Sequence, residues 1–596
     1  MEPTLIADPE YYHRVVDCQH ACPAHTPVPE YIRLIAAGRY NDAYMLNWES
    51  NVFPGVLGRT CDRPCEPACR RGRLGDGEEP VAICRLKRFA ADNKQGIAER
   101  LPKIPKRKNG KRIALIGAGP ASLTVARDLL PLGYEIVLYD EQGIAGGMMR
   151  SQIPSFRLPA SVLDEEIGFI LRDQVEQRFG QRVESMKALL AEHYDAVFVG
   201  TGAPKGRELQ LPGLEQAAAH VHIGVNWLSS VAFEHITKIG KRVLVLGGGN
   251  TAMDCCRTAR RMGGEDVKVV VRSPRENMKA SAWEIEDAGH EGIPIYNNHV
   301  PLEFISENGR LVAMAFDKVE ARFDADGHRA LVSTGEPPVI FECDDVLVAV
   351  GQENSFPWIE RNIGIDFDRW GMLVVDRETY ASTHKKVFVG GDAAFGPENI
   401  ITAVAQAHQA AVSIDAYCQG KSIKNRPAPG VTLLSQKMGV HEWSYDSPIS
   451  DDDRRIMPLI ATDKALADRK VEVELGFDFK LAMAEAQRCL NCDVQTVFSE
   501  KLCIECDACV DICPTDCLTI IKNADEPQLR DSLTMPALNT DQPLYVSALL
   551  STGRIMAKDE NVCLHCGLCA ERCPTAAWDM QKFLYKVSHA GSSCQK

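Results

Sequence analysis

The chain has 596 residues, of which 45% are hydrophobic and 25% charged, a composition typical of a globular protein with several domains. Its formal net charge is −14 and its pI is about 5.6, which argues against a nucleic-acid partner because phosphate binding needs a basic face. No segment approaches the roughly 20 apolar residues of a membrane span. No secretory signal is visible, so we expect a cytoplasmic protein without a membrane partner.

Cysteine is the unusual residue, because there are 22 and most stand in tight groups. In a long chain without a secretory signal, grouped cysteines indicate metal ligands rather than disulfides. Six cysteines fall outside the groups: Cys255, Cys256, Cys343, Cys418, Cys517 and Cys594. We interpret Cys255 and Cys256 as small buried residues of a helix. The alternative is a redox-active pair.

Residues 1–102 are expected to form a small helical domain that carries the first grouped cysteines. Apolar residues recur at helical spacing over 29–38, and this segment ends on a glycine. The cysteines of the domain are Cys18, Cys22, Cys61, Cys65, Cys69 and Cys84. The basic run 103–112 that follows is interpreted as a solvated linker, and a basic contact site is the alternative.

A first glycine loop follows the predicted strand 113–116, whose continuous apolar run is typical of a buried parallel strand. The loop consists of small residues that let the backbone approach a pyrophosphate at the start of a helix: Gly117, Gly119, Ala121 and Ser122. The next strand ends at Asp140, whose carboxylate can accept hydrogen bonds from an adenosine ribose. We therefore predict a nucleotide-binding domain over 103–235.

A second glycine loop follows the predicted strand 243–246. Its residues are Gly247, Gly249, Asn250, Thr251 and Ala252. The next strand ends in Arg272 rather than an acid, and a cation there favours the 2′-phosphate of NADP over NAD. The alternative is that Arg272 pairs with Glu276 on the surface. A second nucleotide-binding domain is predicted over 236–345.

Residues 498–596 contain an internal repeat, two copies of Cys-x2-Cys-x2-Cys-x3-Cys-Pro. This is the bacterial ferredoxin spacing, in which three close thiolates bind one [4Fe-4S] cluster and the fourth binds the other. It predicts one cluster on Cys503, Cys506, Cys509 and Cys573, and one on Cys563, Cys566, Cys569 and Cys513. Structural zinc is the alternative, although zinc sites usually pair two Cys-x2-Cys hooks across a longer loop. Residues 429–497 are expected to be a linker that carries Cys489 and Cys492.

Several motifs together resemble the small subunit of glutamate synthase and its relatives, including the flavin half of dihydropyrimidine dehydrogenase. They are the first glycine loop, residues 153–159, the second glycine loop and residues 389–393. The resemblance covers roughly residues 15–425 and implies one FAD, NAD(P)H bound beside it, and two [4Fe-4S] clusters in the N-terminal domain. It also implies that the chain returns over 346–428 to form a second part of the FAD domain. The FAD contacts that it implies are Ala121, Asp140, Gly147, Met148, Arg157, Gly391, Asp392 and Thr402. The NAD(P) contacts that it implies are Gly249, Asn250, Thr251, Ala252, Arg272, Lys279 and Gly351.

The N-terminal cysteines depart from the family pattern. Where the family has a further Cys-x2-Cys pair, this chain has Glu10 and His13, and the segment around Cys489 and Cys492 resembles the missing pair. The resemblance then implies one cluster on Cys18, Cys69, Cys489 and Cys492 and another on Cys22, Cys61, Cys65 and Cys84. The sixteen grouped cysteines would supply four thiolates to each of four clusters. The alternative is that Cys489 and Cys492 are a leftover pair or a zinc hook.

Together these features predict a multidomain α/β fold. It has a helical N-terminal iron–sulfur domain, two doubly wound nucleotide-binding domains for FAD and NAD(P), and a C-terminal bacterial-ferredoxin-like α+β domain. Flavin converts the hydride of NAD(P)H into single electrons for [4Fe-4S] clusters, so we assign no catalytic acid or base. We expect an electron-transfer subunit whose partner is another oxidoreductase subunit, such as a 2-oxoacid:ferredoxin oxidoreductase, or ferredoxin. The alternative is the small (beta) subunit of NADPH-dependent glutamate synthase.

Overall fold

The computed structural model describes residues 1–6, 8–75, 77–323, 329–438, 449–533 and 540–592, and Cys594 lies outside them. The α-helices in chain order are α1 (Pro9–Val15), α2 (Asp17–His20), α3 (Val28–Ala36), α4 (Tyr40–Asn51), α5 (Pro54–Thr60), α6 (Ile83–Asp92), α7 (Pro120–Leu129), α8 (Met148–Ser151), α9 (Ala160–Leu171), α10 (Met186–Ala191), α11 (Leu214–Ala217), α12 (Gly224–Ala232), α13 (Asn250–Arg261), α14 (Ala282–His290), α15 (Asp392–Phe395), α16 (Ile400–Cys418), α17 (Thr462–Ala467), α18 (Phe479–Ala486), α19 (Ala508–Asp511), α20 (Glu526–Arg530) and α21 (Leu568–Arg572). The β-strands are β1 (Arg112–Ile116), β2 (Glu135–Asp140), β3 (Val175–Phe179), β4 (Ala196–Val199), β5 (Lys205–Gly206), β6 (Val221–Ile223), β7 (Arg242–Leu246), β8 (Asp266–Val271), β9 (Ile295–Asn297), β10 (His299–Glu307), β11 (Arg310–Phe323), β12 (Arg329–Ser333), β13 (Val339–Glu342), β14 (Asp345–Val348), β15 (Gln352–Glu353), β16 (Val387–Val389), β17 (Gly430–Ser435), β18 (Val494–Phe498), β19 (Leu518–Lys522), β20 (Tyr545–Val546), β21 (Arg554–Lys558) and β22 (Trp578–Lys586).

The chain divides into two compact units, each assembled from separate stretches of sequence. The nucleotide unit comprises residues 102–424 and 458–475. The cluster unit comprises residues 1–101, 425–457 and 476–596. The stretch 429–497, expected to be a linker, contributes to both units, and its residues 439–448 lie outside the described part of the chain.

The first sheet of the nucleotide unit has the strand order β16-β4-β1-β2-β3, and all its strands are parallel. After its first residue β1 is fully buried, which explains why its sequence is a continuous apolar run rather than an alternation. Helix α7 begins at Pro120, directly after the first glycine loop, and packs against α16. Because β16 and α16 come from the second part of the domain, the fold is completed only after the chain has passed through the second sheet.

The second sheet of the nucleotide unit is also parallel, with the order β6-β14-β7-β8-β9. Helix α13 begins directly after the second glycine loop and buries Cys255 and Cys256 in the core. Burial raises the pKa of both thiols, which favours their interpretation as packing residues. An antiparallel sheet follows, in which β11 pairs with β10, β12 and β13.

The cluster unit joins a helical N-terminal part to two small antiparallel sheets. Helices α3, α4, α5 and α6 pack together around almost fully buried side chains such as Tyr31 and Trp48. The two sheets have the orders β17-β22-β18 and β19-β21-β20. Strand β17 comes from the expected linker, and β20 comes from the stretch between the two cysteine repeats.

The predicted fold class is thus confirmed: two doubly wound parallel sheets, a helical N-terminal domain and a C-terminal α+β domain. Among the described residues, every helix is too short or too polar to cross a membrane.

Candidate functional site

A cavity, which we call the nucleotide cavity, opens at the carboxyl ends of the first sheet. Its walls include the residues that end or follow four parallel strands: Gly117 after β1, Asp140 at the end of β2, Gly200 after β4 and Gly390 after β16. Open parallel sheets bind their ligands at this edge.

The nucleotide cavity brings together most of the predicted FAD residues: Gly117, Gly119, Ala121, Asp140, Gly147, Met148, Gly391 and Asp392. Three others are not part of its lining. Ser122 is fully buried against Gly200, and the backbone N–H of Thr402 donates to the Asn399 side chain at 2.9 Å. The Arg157 guanidinium is held in buried ion pairs with Asp254 and Glu284. The contact of Arg157 with FAD therefore stays a prediction.

The first glycine loop runs so close to the neighbouring strand that it needs glycine. Gly117 has a φ of +89°, and a Cβ at this position would lie 2.7 Å from the carbonyl oxygen of Gly200. The Asp140 carboxylate accepts from the backbone N–H of Ala118 at 2.6 Å and of Gln142 at 2.7 Å. These bonds fix Asp140 against the loop, where it can accept a further hydrogen bond from a ribose.

Two acids of the nucleotide cavity are partly withdrawn from water. Burial raises the pKa of Asp140 despite its backbone hydrogen bonds, and it raises the pKa of Asp392 to about 6. Asp392 begins α15, after the buried strand β16. Both carboxylates are suited to accept hydrogen bonds from ligand hydroxyls, because such bonds gain strength where water competes less.

The second glycine loop has an equally close approach. Gly247 has a φ of +145°, and a Cβ there would lie 2.2 Å from the carbonyl oxygen of Ala349. Asn250, the first residue of α13, accepts the backbone N–H of Ser281 at its Oδ1 at 2.9 Å. The predicted residues Gly249, Thr251 and Ala252 stand at this helix start, which is where a pyrophosphate binds.

Three cations lie near the end of β8: Arg272, Arg275 and Lys279. All three side chains are exposed, and none forms an ion pair with a described residue. The alternative pairing of Arg272 with Glu276 is not present among these residues. Exposed, unpaired guanidinium and ammonium groups at this position are what a 2′-phosphate would need.

Two cavities of the C-terminal domain are lined by cysteines from both halves of the repeat. The first ferredoxin site is lined by Cys503, Cys506, Cys509 and Cys573. The second ferredoxin site is lined by Cys513, Cys563, Cys566 and Cys569. In each cavity three cysteines of one repeat meet the fourth cysteine of the other, which is the crossed arrangement of a two-cluster ferredoxin.

The other grouped cysteines form two sets within the cluster unit. Burial raises the pKa of the Cys18 thiol, and the nearby thiols of Cys69, Cys492 and Cys489 raise it further. We call these four cysteines N-terminal site A. In the second set, which we call N-terminal site B, the Cys84 thiol is hydrogen-bonded to those of Cys61 and Cys65, and Cys22 lies near the same lysine, Lys87. The fold thus brings the segment of Cys489 and Cys492 to Cys18 and Cys69, although the two regions are far apart in sequence.

Sequence reasoning missed three buried cations beside these thiols. Although burial alone would lower the pKa of Lys87, the thiols of site B hold it above its usual value. Arg70 lies beside site A and donates to the Asp17 carboxylate at 2.9 Å. Lys558 lines the second ferredoxin site and donates to Glu560 at 2.9 Å. Arg70 directly follows Cys69, but a basic residue beside a cysteine is too common to be diagnostic.

Cys517 also belongs to one of these sites, although it stands outside the cysteine groups of the sequence. It is buried in the lining of the second ferredoxin site, with its sulfur 3.5 Å from that of Cys513.

The four cysteine sets fit [4Fe-4S] clusters. Each offers at least four thiols, and three of the four sets have a buried lysine or arginine beside them. A cluster with four thiolates is an anion, and an anion can be buried only with compensating charge or hydrogen bonds. In the part of the chain that the structure describes, the cysteines are all free thiols, so none of them is spent on a disulfide.

Comparison with known proteins matches three family models to the chain. The pyridine nucleotide-disulphide oxidoreductase model matches residues 111–407. The model of dihydropyrimidine dehydrogenase domain II, with a 4Fe-4S cluster, matches residues 13–98, and a 4Fe-4S dicluster domain matches residues 502–577. In this order, the three matches correspond to the nucleotide-binding domains, the N-terminal cysteines and the terminal cysteine repeat. Together they confirm the expected FAD, NAD(P) and [4Fe-4S] cofactors.

Individual relatives are similar over most of the chain. The beta subunit of NADP(+)-dependent formate dehydrogenase from Moorella thermoacetica is 34% identical, over 80% of this chain and 70% of its own length. The beta subunit of NADPH-Fe(3+) oxidoreductase from Geobacter sulfurreducens is 31% identical, over 82% and 77%. The small chain of NADPH glutamate synthase from Halomonas elongata is 32% identical, over 67% and 87%. All three relatives are named as subunits or chains of oxidoreductases.

Proposed function

The chain belongs to the pyridine nucleotide-disulphide oxidoreductase family and is an NAD(P)H-dependent iron–sulfur oxidoreductase, and we propose that it is the NADPH-linked electron-transfer subunit of a larger enzyme. FAD supplies the chemistry that links a two-electron hydride carrier to one-electron [4Fe-4S] clusters. The chain's own residues bind and orient these groups. The proposal concerns the coenzyme, the number of clusters and the kind of partner.

The observation that carries the proposal is the presence of both kinds of site in one polypeptide. The nucleotide unit has a cavity at the carboxyl edge of its first sheet and a second glycine loop beside unpaired cations. The cluster unit has four sets of four cysteines. A protein that only bound nucleotides would not need sixteen cysteines gathered in four sets, three of them beside a buried cation.

NADP is favoured over NAD by the cations at the end of β8. Arg272 stands where an acid would bind the ribose hydroxyls of NAD, and it is exposed and unpaired among the described residues. Arg275 and Lys279 add positive charge nearby. A 2′-phosphate could bind this set of donors without breaking an existing ion pair.

An oxidoreductase partner is favoured by the relatives. Two of them are beta subunits of enzymes whose names include formate dehydrogenase and NADPH-Fe(3+) oxidoreductase. A second candidate is the small subunit of glutamate synthase, favoured by the 32% identity to a glutamate synthase small chain over 87% of its length. A co-purifying amidotransferase subunit would favour the second candidate. A co-purifying cluster-containing oxidoreductase subunit would favour the first.

Anaerobic purification followed by titration with NADPH and NADH tests the proposal. We expect a brown protein with FAD and about sixteen iron atoms per chain. Its visible absorbance should bleach with NADPH at much lower concentrations than with NADH. A colourless protein, or one that no reduced nicotinamide bleaches while dithionite does, would contradict the proposed function. Equal responses to NADPH and NADH would contradict the coenzyme assignment alone.

A further inference from the structure

The second ferredoxin site is connected to N-terminal site A by a buried histidine, His565. This residue lies between Cys563 and Cys566 in the binding loop, and its side chain is completely buried. Its Nδ1 is 2.9 Å from the carbonyl oxygen of Cys492, a residue of site A. Because a carbonyl only accepts, Nδ1–H of His565 is the donor. The ring therefore links the loop of one cysteine set directly to the backbone of the other.

Arg70 makes a second connection between the same two sites. It follows Cys69 of site A, and its buried guanidinium donates to the carbonyl oxygens of Cys563 and of Glu560. The same group lies 3.3 Å from Nε2 of His565. It also donates to Asp17, which precedes Cys18 of site A. Two buried polar side chains thus tie the ligand loops of the two sites together.

The first ferredoxin site lacks the corresponding connection among the described residues. Glu505 occupies the position in its loop that His565 occupies in the second site. Both residues have left-handed backbone, with φ of 58° and 54°, and each N–H points to the sulfur of the cysteine two residues earlier, at 3.3 Å and 3.4 Å. Glu505, however, bonds to Thr552 and Arg554 within the ferredoxin domain itself. Equivalent loops therefore have different neighbours.

We propose that His565 is a positioning residue that couples N-terminal site A to the second ferredoxin site, which makes the first ferredoxin site the terminal one of the cluster unit. The inference rests on the proposed function, since it concerns where a single electron passes between the two groups of clusters with no bond made or broken. It assigns an order that neither the cysteine spacing nor the similarity to other proteins contains.

The order can be tested by electron paramagnetic resonance of dithionite-reduced protein. The signal of site A is identified as the one lost when Cys489 and Cys492 are replaced by alanine. Magnetic interaction with a neighbouring reduced cluster should split or broaden this signal. We expect the splitting to disappear in Cys566→Ala, which disrupts the second ferredoxin site, and to persist in Cys506→Ala, the matched substitution in the first. The reverse pattern, or a splitting that neither substitution changes, would overturn the proposed order.

The role of His565 is tested by His565→Leu and His565→Asn, with Cys418→Ser, in the nucleotide unit and outside every cysteine set, as the control. Freeze-quench spectra after mixing with NADPH should show slower reduction of the ferredoxin clusters in His565→Leu. His565→Asn, which keeps an N–H donor in reach of the Cys492 carbonyl, should restore the rate, and Cys418→Ser should leave it unchanged. Full iron content with an unchanged rate and splitting in His565→Leu would refute the role. If His565→Leu loses iron, the reduction rate of His565→Asn still tests the role of His565. The two cysteine variants still test the order of the sites.

These outcomes are separable from failure of the proposed function. The dithionite-reduced spectra require no nicotinamide, so they report the order of the sites even in a protein that NADPH does not reduce.

Discussion

Replacing Cys489 and Cys492 together by serine should remove one cluster without unfolding the segment that carries them. The loss of two ligands leaves site A with only Cys18 and Cys69, too few thiolates for a cubane. Iron should therefore fall from about sixteen to about twelve atoms per chain, and absorbance near 400 nm by about a quarter. The segment itself should stay folded, because Arg33 is paired with Asp493 by a buried hydrogen bond of 2.7 Å that does not involve the cluster.

Iron analysis and absorbance of anaerobically purified protein measure the effect, with Cys418→Ser as the matched control. Cys418 lies in the nucleotide unit at the end of α16, outside every cysteine set, so that variant should keep all its iron. Retention of full iron in the double variant would refute the shared site and leave Cys489 and Cys492 as a leftover pair. One zinc per chain that disappears in the double variant would support a zinc hook instead. About eight iron atoms in the unchanged protein would limit the clusters to the ferredoxin domain.

Three further predictions address the coenzyme, the cluster potentials and pH. Arg272→Ala should raise the KM for NADPH about tenfold or more, because a hydrogen bond to a charged group contributes about 1.5–3 kcal/mol. The KM for NADH should not change. An equal rise in the KM for both coenzymes would contradict a contact between Arg272 and the 2′-phosphate. Lys87→Met removes a positive charge beside site B and should lower the reduction potential of its cluster in a redox titration. The expected change is roughly 60 to 180 mV, which for one electron corresponds to about one to three pKa units. Lys87→Arg keeps the charge and should leave the potential unchanged. Burial raises the pKa of Asp392 to about 6, so charging it above pH 6 destabilises the folded flavin-free protein, and protonation as pH falls relieves this cost. Asp392→Asn should therefore raise the Tm of flavin-free protein at pH 7.5, and the difference should shrink towards pH 4; a pH-independent difference would refute the assignment.

The sequence predicted the parallel sheets well because their signal is local. Strands such as β1 and β7 are apolar throughout, and each runs straight into a glycine loop and a helix. The return of the chain to the first sheet at β16 depends on pairing between residues about 190 positions apart, Val387 with Val197. No local pattern encodes that pairing, and only the family resemblance indicated it. Strand β17 was not predicted, for the same reason: it pairs with β22, which lies much later in the chain.

The sequence alone predicted some of the cysteine sets better than others. The crossed pairing of the terminal repeat follows from spacing alone, because a cubane restricts how closely spaced thiolates can share it. Joining Cys489 and Cys492 to Cys18 and Cys69 needed the resemblance, since nothing near either pair specifies the other. The buried cations and His565 were missed altogether. Lysine, arginine and histidine are ordinary residues at exposed positions, and only burial beside thiols marks them as part of the sites.

Residues 458–475, whose sequence predicts no function, make contacts that help to hold the nucleotide sites in place. Val473 donates its backbone N–H to Phe156 at 3.0 Å, and Arg469 donates to the carbonyl of Val231 at 2.8 Å, so this segment contacts the loop 153–159 and helix α12 together. In the same loop, Arg157 is drawn into buried pairs with Asp254 of α13 and Glu284 of α14. Buried ion pairs add little net stability, but they hold their partners in one geometry. Because hydride transfer needs the nicotinamide and the flavin in a fixed relative orientation, the ion pairs of Arg157 give this loop a second role, which is to join the two nucleotide-binding domains.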